Sequence, residues 1–209
     1  MANCARLLNT NTPISDLGTL LDDDGRAANV YLETIGPNYR LPIPWLCCFR
    51  PDDMKPVVVQ LEDWDGNVEH VTVNLPGTTV ENAIGNLAQS LPLIEKIVGD
   101  PSLARPYWDD AMAYLRSLPL PYLTLDPLEI ITMTRPATDA DELIDALGGD
   151  DAAIPHLKDN AVWNEGCLPY PLDVLLAPPS GYDEQRMENA ASLCACGDTT
   201  FTYGLDDAA

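Results

Sequence analysis

Nineteen prolines spread through 209 residues set the scale of the elements this chain can form. Inside a helix, proline removes a backbone donor and collides with the preceding turn; in a central strand it deletes a ladder hydrogen bond. Long elements are therefore disfavoured, and the chain reads as many short ones joined by turns. Apolar residues make up 46%, enough for a packed core, and aromatics only 7%, so that core should be aliphatic. No internal repeat or long Ser/Gly linker divides the chain, and its length suits one domain.

The clearest local signal is a hairpin. Val57, Val59 and Leu61 alternate with Val58, Gln60 and Glu62, and Val71, Val73 and Leu75 alternate with His70, Thr72 and Asn74. A loop over Asp65–Asn67 opposes Leu61 with Val71, Val59 with Val73 and Val57 with Leu75, so that the apolar faces match. It also sets His70 against Glu62. Residues 3–8, the apolar run Ile43–Phe49, Tyr122–Leu125 and Leu128–Met133 read as further strands. Thr78-x-x-Glu81 reads as a capping box ahead of Val80, Ile84 and Leu87. Ser90 and Pro92 open a helix carrying Leu93, Ile94, Ile97 and Val98, which stops near Gly99. Pro106 starts another with Trp108, Met112 and Leu115 on one face. Thr138-x-x-Asp141 caps a helix with Leu143, Ile144 and Leu147, ended by Gly148-Gly149, and Ser180-x-x-Asp183 begins a last one.

That order is not the regular alternation of a doubly wound parallel sheet. The expected fold is α+β: a mostly antiparallel sheet with a central hairpin, packed against several short helices. The domain spans 1–209, with an irregular acidic segment at 150–180 and a frayed C-terminal tail.

Charge separates classes of partner. The chain has 33 acids and 11 bases, a formal net charge of −22. Nucleic acid and anionic membrane surfaces are disfavoured, because each needs a Lys/Arg footprint. A basic protein is favoured, since a negative field speeds its approach. The surplus is uneven: residues 135–209 hold 15 acids against 3 bases, and residues 1–60 hold 7 against 5. No secretory signal is read at the start, and no apolar stretch approaches the length of a membrane span. A cytoplasmic setting follows, with Cys4, Cys47, Cys48, Cys167, Cys194 and Cys196 as thiols.

Chemistry-bearing patterns are weak. Neither the dinucleotide-binding glycine pattern nor the P-loop pattern occurs. Asp22–Gly25 and Asp63–Asn67 look faintly like calcium loops but lack the end carboxylates the ion needs. The cysteines and His70 and His156 lack the paired spacing of a structural zinc site, and no local signature couples a thiol to an imidazole. Trp45 and Trp108 fall on apolar faces and read as core, whereas Trp163 sits in an acidic stretch.

The opening Met-Ala-Asn-Cys-Ala-Arg-Leu-Leu and the segment Tyr122-Leu-Thr-Leu-Asp-Pro-Leu-Glu-Ile130 resemble uncharacterised small bacterial cytoplasmic proteins. In size, acidity and lack of catalytic motifs the chain is also similar to immunity proteins that neutralise interbacterial toxins. The functional expectation is an acidic, non-enzymatic binding protein without cofactor or metal, an immunity-type inhibitor that docks on a basic toxin or effector. The contacts expected are Asp139, Asp141, Glu142, Asp145, Asp150, Asp151, Asp159, Trp163 and Glu165. The alternatives are a thiol/histidine enzyme or metal protein, and a nucleic-acid mimic whose carboxylates imitate phosphates.

Overall fold

The computed structural model describes residues 4–19, 31–36, 41–62, 67–131, 136–160 and 199–203. In chain order they form β1 (Arg6–Thr10), β2 (Tyr31–Ile35), α1 (Ile43–Cys47), β3 (Met54–Glu62), β4 (Val68–Thr79), α2 (Val80–Gln89), α3 (Leu91–Val98), α4 (Pro101–Ser117), β5 (Tyr122–Asp126), α5 (Leu128–Ile131), α6 (Pro136–Ala146), α7 (Ile154–Asn160) and β6 (Thr199–Tyr203). Proline explains much of this punctuation. Pro44, Pro92 and Pro101 each lie in the first two positions of their helices, where a missing N–H costs nothing. Pro136 opens α6 in the same way.

The strands form one sheet in the order β3-β4-β5-β1-β2-β6, with every neighbouring pair antiparallel. The α+β class is therefore as expected, but the hairpin lies at one end of the sheet. Pro56 explains its place: it sits inside β3, and proline is tolerated where a strand has a free edge. Part of that edge is covered, because Val58 N donates to Ser15 O at 2.9 Å beside a parallel bridge between Asp16 and Val58.

The hairpin register differs from the expected one by two residues. Val57 faces Val73, Val59 faces Val71, and the last pair is Glu62 with Val68, so the connection is longer than three residues. A slip of two keeps every side chain on its own face, so face matching cannot tell the two registers apart. His70 consequently faces Gln60 rather than Glu62.

Two segments expected as strands are helical. Ile43–Phe49 contains α1, whose five residues are all buried. A short apolar run buried all round has no periodicity to separate helix from strand. Leu128 begins α5 because Asp126 Oδ1 accepts from its N–H at 3.0 Å, and Ile130 N closes onto Pro127 O at 2.9 Å. Two helix starts also move. Thr79, still paired with Tyr122 of β5, caps α2 by accepting from Asn82 N at 3.2 Å, so the box expected at Thr78 does not form. Asp100 caps α4 through Ser102 N at 3.0 Å, which leaves Pro106 inside the helix rather than at its start. The segment read as irregular from 150 contains a short 3-10 turn at Asp151–Ala153 and then α7. The helix expected from Ser180 lies outside the described residues.

The core gathers Trp45, Leu46 and Phe49 from α1 and its end, Leu87 from α2, Ile94 and Ile97 from α3, and Met112 and Leu115 from α4. These pack with Leu7, Leu123 and Leu125 of the sheet. Trp108 is half-buried against them, its Nε1 donating to Leu87 O at 2.8 Å.

Candidate functional site

The acids expected to form a contact surface fall on α6, the turn after it, and α7. Asp141, Glu142, Asp145, Asp150 and Asp151 are all exposed. Asp139 lies on α6 and Asp159 on α7, though their side chains lie outside what is described, as do Trp163 and Glu165 altogether. Leu143, Ala146 and Leu147 turn the opposite side of α6 into the core, which leaves 141, 142 and 145 facing water.

Arg50 helps seat this unit. Its guanidinium donates to Cys47 O at 3.1 Å and Phe49 O at 2.8 Å near the end of α1, and to Asn86 O on α2 at 3.0 Å. The chain leaving α6 passes directly over it at Gly149, where φ is +74° and a Cβ would stand 2.7 Å from Arg50 Cζ. Backbone conformation and space both require glycine there.

Three of the exposed acids have structural partners. Asn74 Nδ2 donates to Asp141 Oδ1 at 3.1 Å. Asp150 Oδ1 accepts from Ala152 N at 2.9 Å, which caps the turn into α7. Asp151 meets Lys96 of α3 at 2.5 Å, with both side chains more than half exposed. Glu142 and Asp145 are the exposed acids of this face with no such bond among the described residues.

A second charged group was not legible from sequence. Residues paired across antiparallel strands share a face. Leu7, Leu123, Leu125 and Thr34 therefore lie on one face of the central strands, and Arg6, Leu8, Glu33, Thr124 and Asp126 on the other. Arg6 Nε meets Glu33 Oε1 at 2.7 Å, and its NH2 donates to Glu129 Oε1. Its NH1 lies 3.7 Å from Asp126 Oδ2, an ion pair too long for a hydrogen bond. Burial lowers the Arg6 pKa, but Asp126, Glu129 and Glu33 together overcome it and leave the value raised. Asp126 is only 6% exposed. Burial pushes its carboxyl above the ordinary range against the pull of Leu128 N and Arg6, with Glu129 and Glu33 adding to the rise. A basic residue in a short, otherwise uncharged strand was the one available hint; its partners come from positions 27 to 123 residues away.

Two of the described thiols, Cys47 and Cys4, are shifted away from nucleophilic chemistry. Burial pushes the Cys47 thiol up to about 12, against smaller lowering effects from Ser90 and Arg50. Cys4 is also raised, by burial and then by Glu129. A nucleophilic thiol needs the opposite shift. His70 and His156 are exposed. Among the described residues no three His, Cys, Asp or Glu side chains meet in an arrangement able to hold a metal ion. Nor, among these residues, is any helix long and apolar enough to cross a membrane. Cys167, Cys194 and Cys196 lie outside the described residues.

No family model matches this chain, and neither a curated protein nor a solved structure matches it.

Proposed function

We propose that this chain is an acidic docking protein of the immunity type, which presents the α6–α7 face to a basic toxin or effector and blocks it by direct contact. The observation that carries the reading is the run from 136 to 157, which contains no Lys or Arg and exposes Asp141, Glu142, Asp145, Asp150 and Asp151 along consecutive elements. Such a field accelerates encounter with a cationic surface and disfavours anionic partners. Glu142 and Asp145 are the residues to change, because Asp141, Asp150 and Asp151 also serve the fold.

The test compares wild type and the E142K/D145K double variant as immobilised baits in a lysate of the native host. A basic protein held by wild type, released as salt is raised and lost to the double variant is the expected result. Its association should slow by about tenfold in the variant at low ionic strength, with a flatter salt dependence. Equal retention by both baits removes this face from the reading, and the absence of any retained basic protein removes the docking function itself.

A further inference from the structure

Gly77 lies within β4, opposite Thr124 of β5. Nothing in its own geometry calls for glycine. Its φ is not positive, and a Cβ would meet nothing closer than Thr124 Oγ1 at 3.5 Å and Lys55 Cγ at 3.8 Å, which are ordinary contacts. A strand glycine gives up packing and backbone order, and often marks a bulge, a bend or close approach by another backbone or by a ligand. Here it also stands where β4 passes from pairing with β3 to pairing with β5. The nearest foreign backbone atom, Leu123 O, is 4.0 Å from that Cβ position.

What Gly77 opens onto is a cleft of about 320 Å³ between β4, β5, the first turn of α2 and the segment at Pro13–Ile14. That volume lies at the small end of ligand sites. Thr124 lines it and is only 3% exposed, with its Oγ1 facing the space where Gly77 lacks a side chain. No described residue makes a hydrogen bond to that hydroxyl. The hydroxyl is not sealed in the core but opens onto the cleft, so its capacity to donate and accept is available to a molecule placed there. Two features, a bare strand backbone and a hydroxyl that no described residue engages, thus meet at one place.

The remaining lining defines the class of molecule. Ile14, Val57 and Leu75 supply the apolar part of the lining. The two charged residues of the rim are already engaged: Asp53 Oδ2 accepts from Arg50 N at 2.7 Å, and Lys55 Nζ donates to Asp52 O at 2.7 Å. These bonds are to neutral backbone groups and leave both charges in place, but being opposite in sign they give the lining no net charge, which favours a neutral ligand. We propose that the cleft over Gly77 binds a small neutral molecule with an apolar body and one hydroxyl or carbonyl, which bonds Thr124 Oγ1. This site is independent of the acidic docking face.

The probes are p-cresol and toluene, which differ by the one hydroxyl, titrated separately while the amide signals of Gly77, Asn82 and Thr124 are followed by NMR. p-Cresol should shift these signals saturably and bind about tenfold tighter than toluene, the ratio expected for one hydrogen bond in a shielded site. Thr124→Val, close in shape to the native residue, should erase that ratio, and Gly77→Leu should abolish both titrations by filling the cleft. Absence of saturable shifts with p-cresol, equal binding of the two probes to wild type, or an unchanged ratio in Thr124→Val overturns the proposal. If Gly77→Leu does not fold, the ratio in Thr124→Val decides alone.

Discussion

The two faces of the central strands β1 and β5 are shielded to a similar degree and are held by different physics. On one, Leu7, Leu123 and Leu125 are 1%, 0% and 0% exposed and join the aliphatic core under α1 to α4. On the other, Leu8, Thr124 and Asp126 are 2%, 3% and 6% exposed, yet a guanidinium set among three carboxylates organises the end of that face. The apolar face gains stability from area removed from water, a term without direction that tolerates small shifts. The polar face gains little net stability from its charges, because desolvation offsets most of their attraction, but it is unforgiving once one partner is removed. Burial alone therefore does not say how a face is stabilised.

The largest effect should come from the apolar face. Leu125→Ala removes most of a fully buried side chain between the sheet and its helices, and should cost about 2–5 kcal/mol in denaturant unfolding. A loss below about 1 kcal/mol would mean the two faces do not differ as described. On the polar face, Arg6→Met leaves Asp126 shielded without its cation and Glu33 without its nearest partner. Losing one member of a fully buried pair costs roughly 3–5 kcal/mol; because the Arg6 side chain is 30% exposed, about 2 kcal/mol is the better expectation. Adding Asp126→Asn to Arg6→Met should recover part of that loss, since the amide oxygen can still accept from Leu128 N while the stranded charge is gone.

The pH dependence sharpens the contrast. Asp126 has a folded-state pKa above the unfolded value near 3.9, so the native state takes up its proton at a pH where the unfolded chain does not. The cost of the buried charge is therefore fully present above the folded pKa. It is relieved as pH falls through that value towards the unfolded one, so stability attributable to this group rises with acidification. Asp126→Asn should remove that increment, which appears as a shallower pH slope of the unfolding midpoint than in wild type just above the ordinary carboxylate range. Identical slopes would rule out Asp126 as the source. The smallest effect belongs to an exposed comparison pair. Lys96 and Asp151 are 54% and 71% exposed at their side chains, and Lys96→Met should change stability by about 0.5 kcal/mol or less. A larger loss would show that solvent screening does not separate this pair from the shielded one around Arg6.

How much of this was readable in the sequence differs from element to element. The α3 helix was, from its start near Ser90 to its stop at Gly99, because Leu93, Ile94, Ile97 and Val98 repeat at helical spacing and Gly99 takes the left-handed conformation at φ +71°. The hairpin strands were legible and their register was not, since alternation fixes faces only modulo two residues. Pro56 carried the edge position of β3 in plain view. The exposed acids of α6 were readable from their spacing against Leu143 and Leu147, whereas the structural duties of Asp141, Asp150 and Asp151 depend on Asn74, Lys96 and the turn into α7. The Arg6 group and the cleft over Gly77 left almost no trace in sequence, because their members come from strands and loops far apart along the chain.

The sequence by itself determined the short elements, the aliphatic core and the concentration of acids towards the C-terminal third, because proline spacing, hydrophobic period and charge act locally. Only the tertiary structure decided which end of the sheet the hairpin takes, that Ile43–Cys47 is a helix, and that Arg6, Glu33, Asp126 and Glu129 meet. Those outcomes depend on which surfaces exclude water together, and that is a property of contacts between distant segments rather than of any one of them.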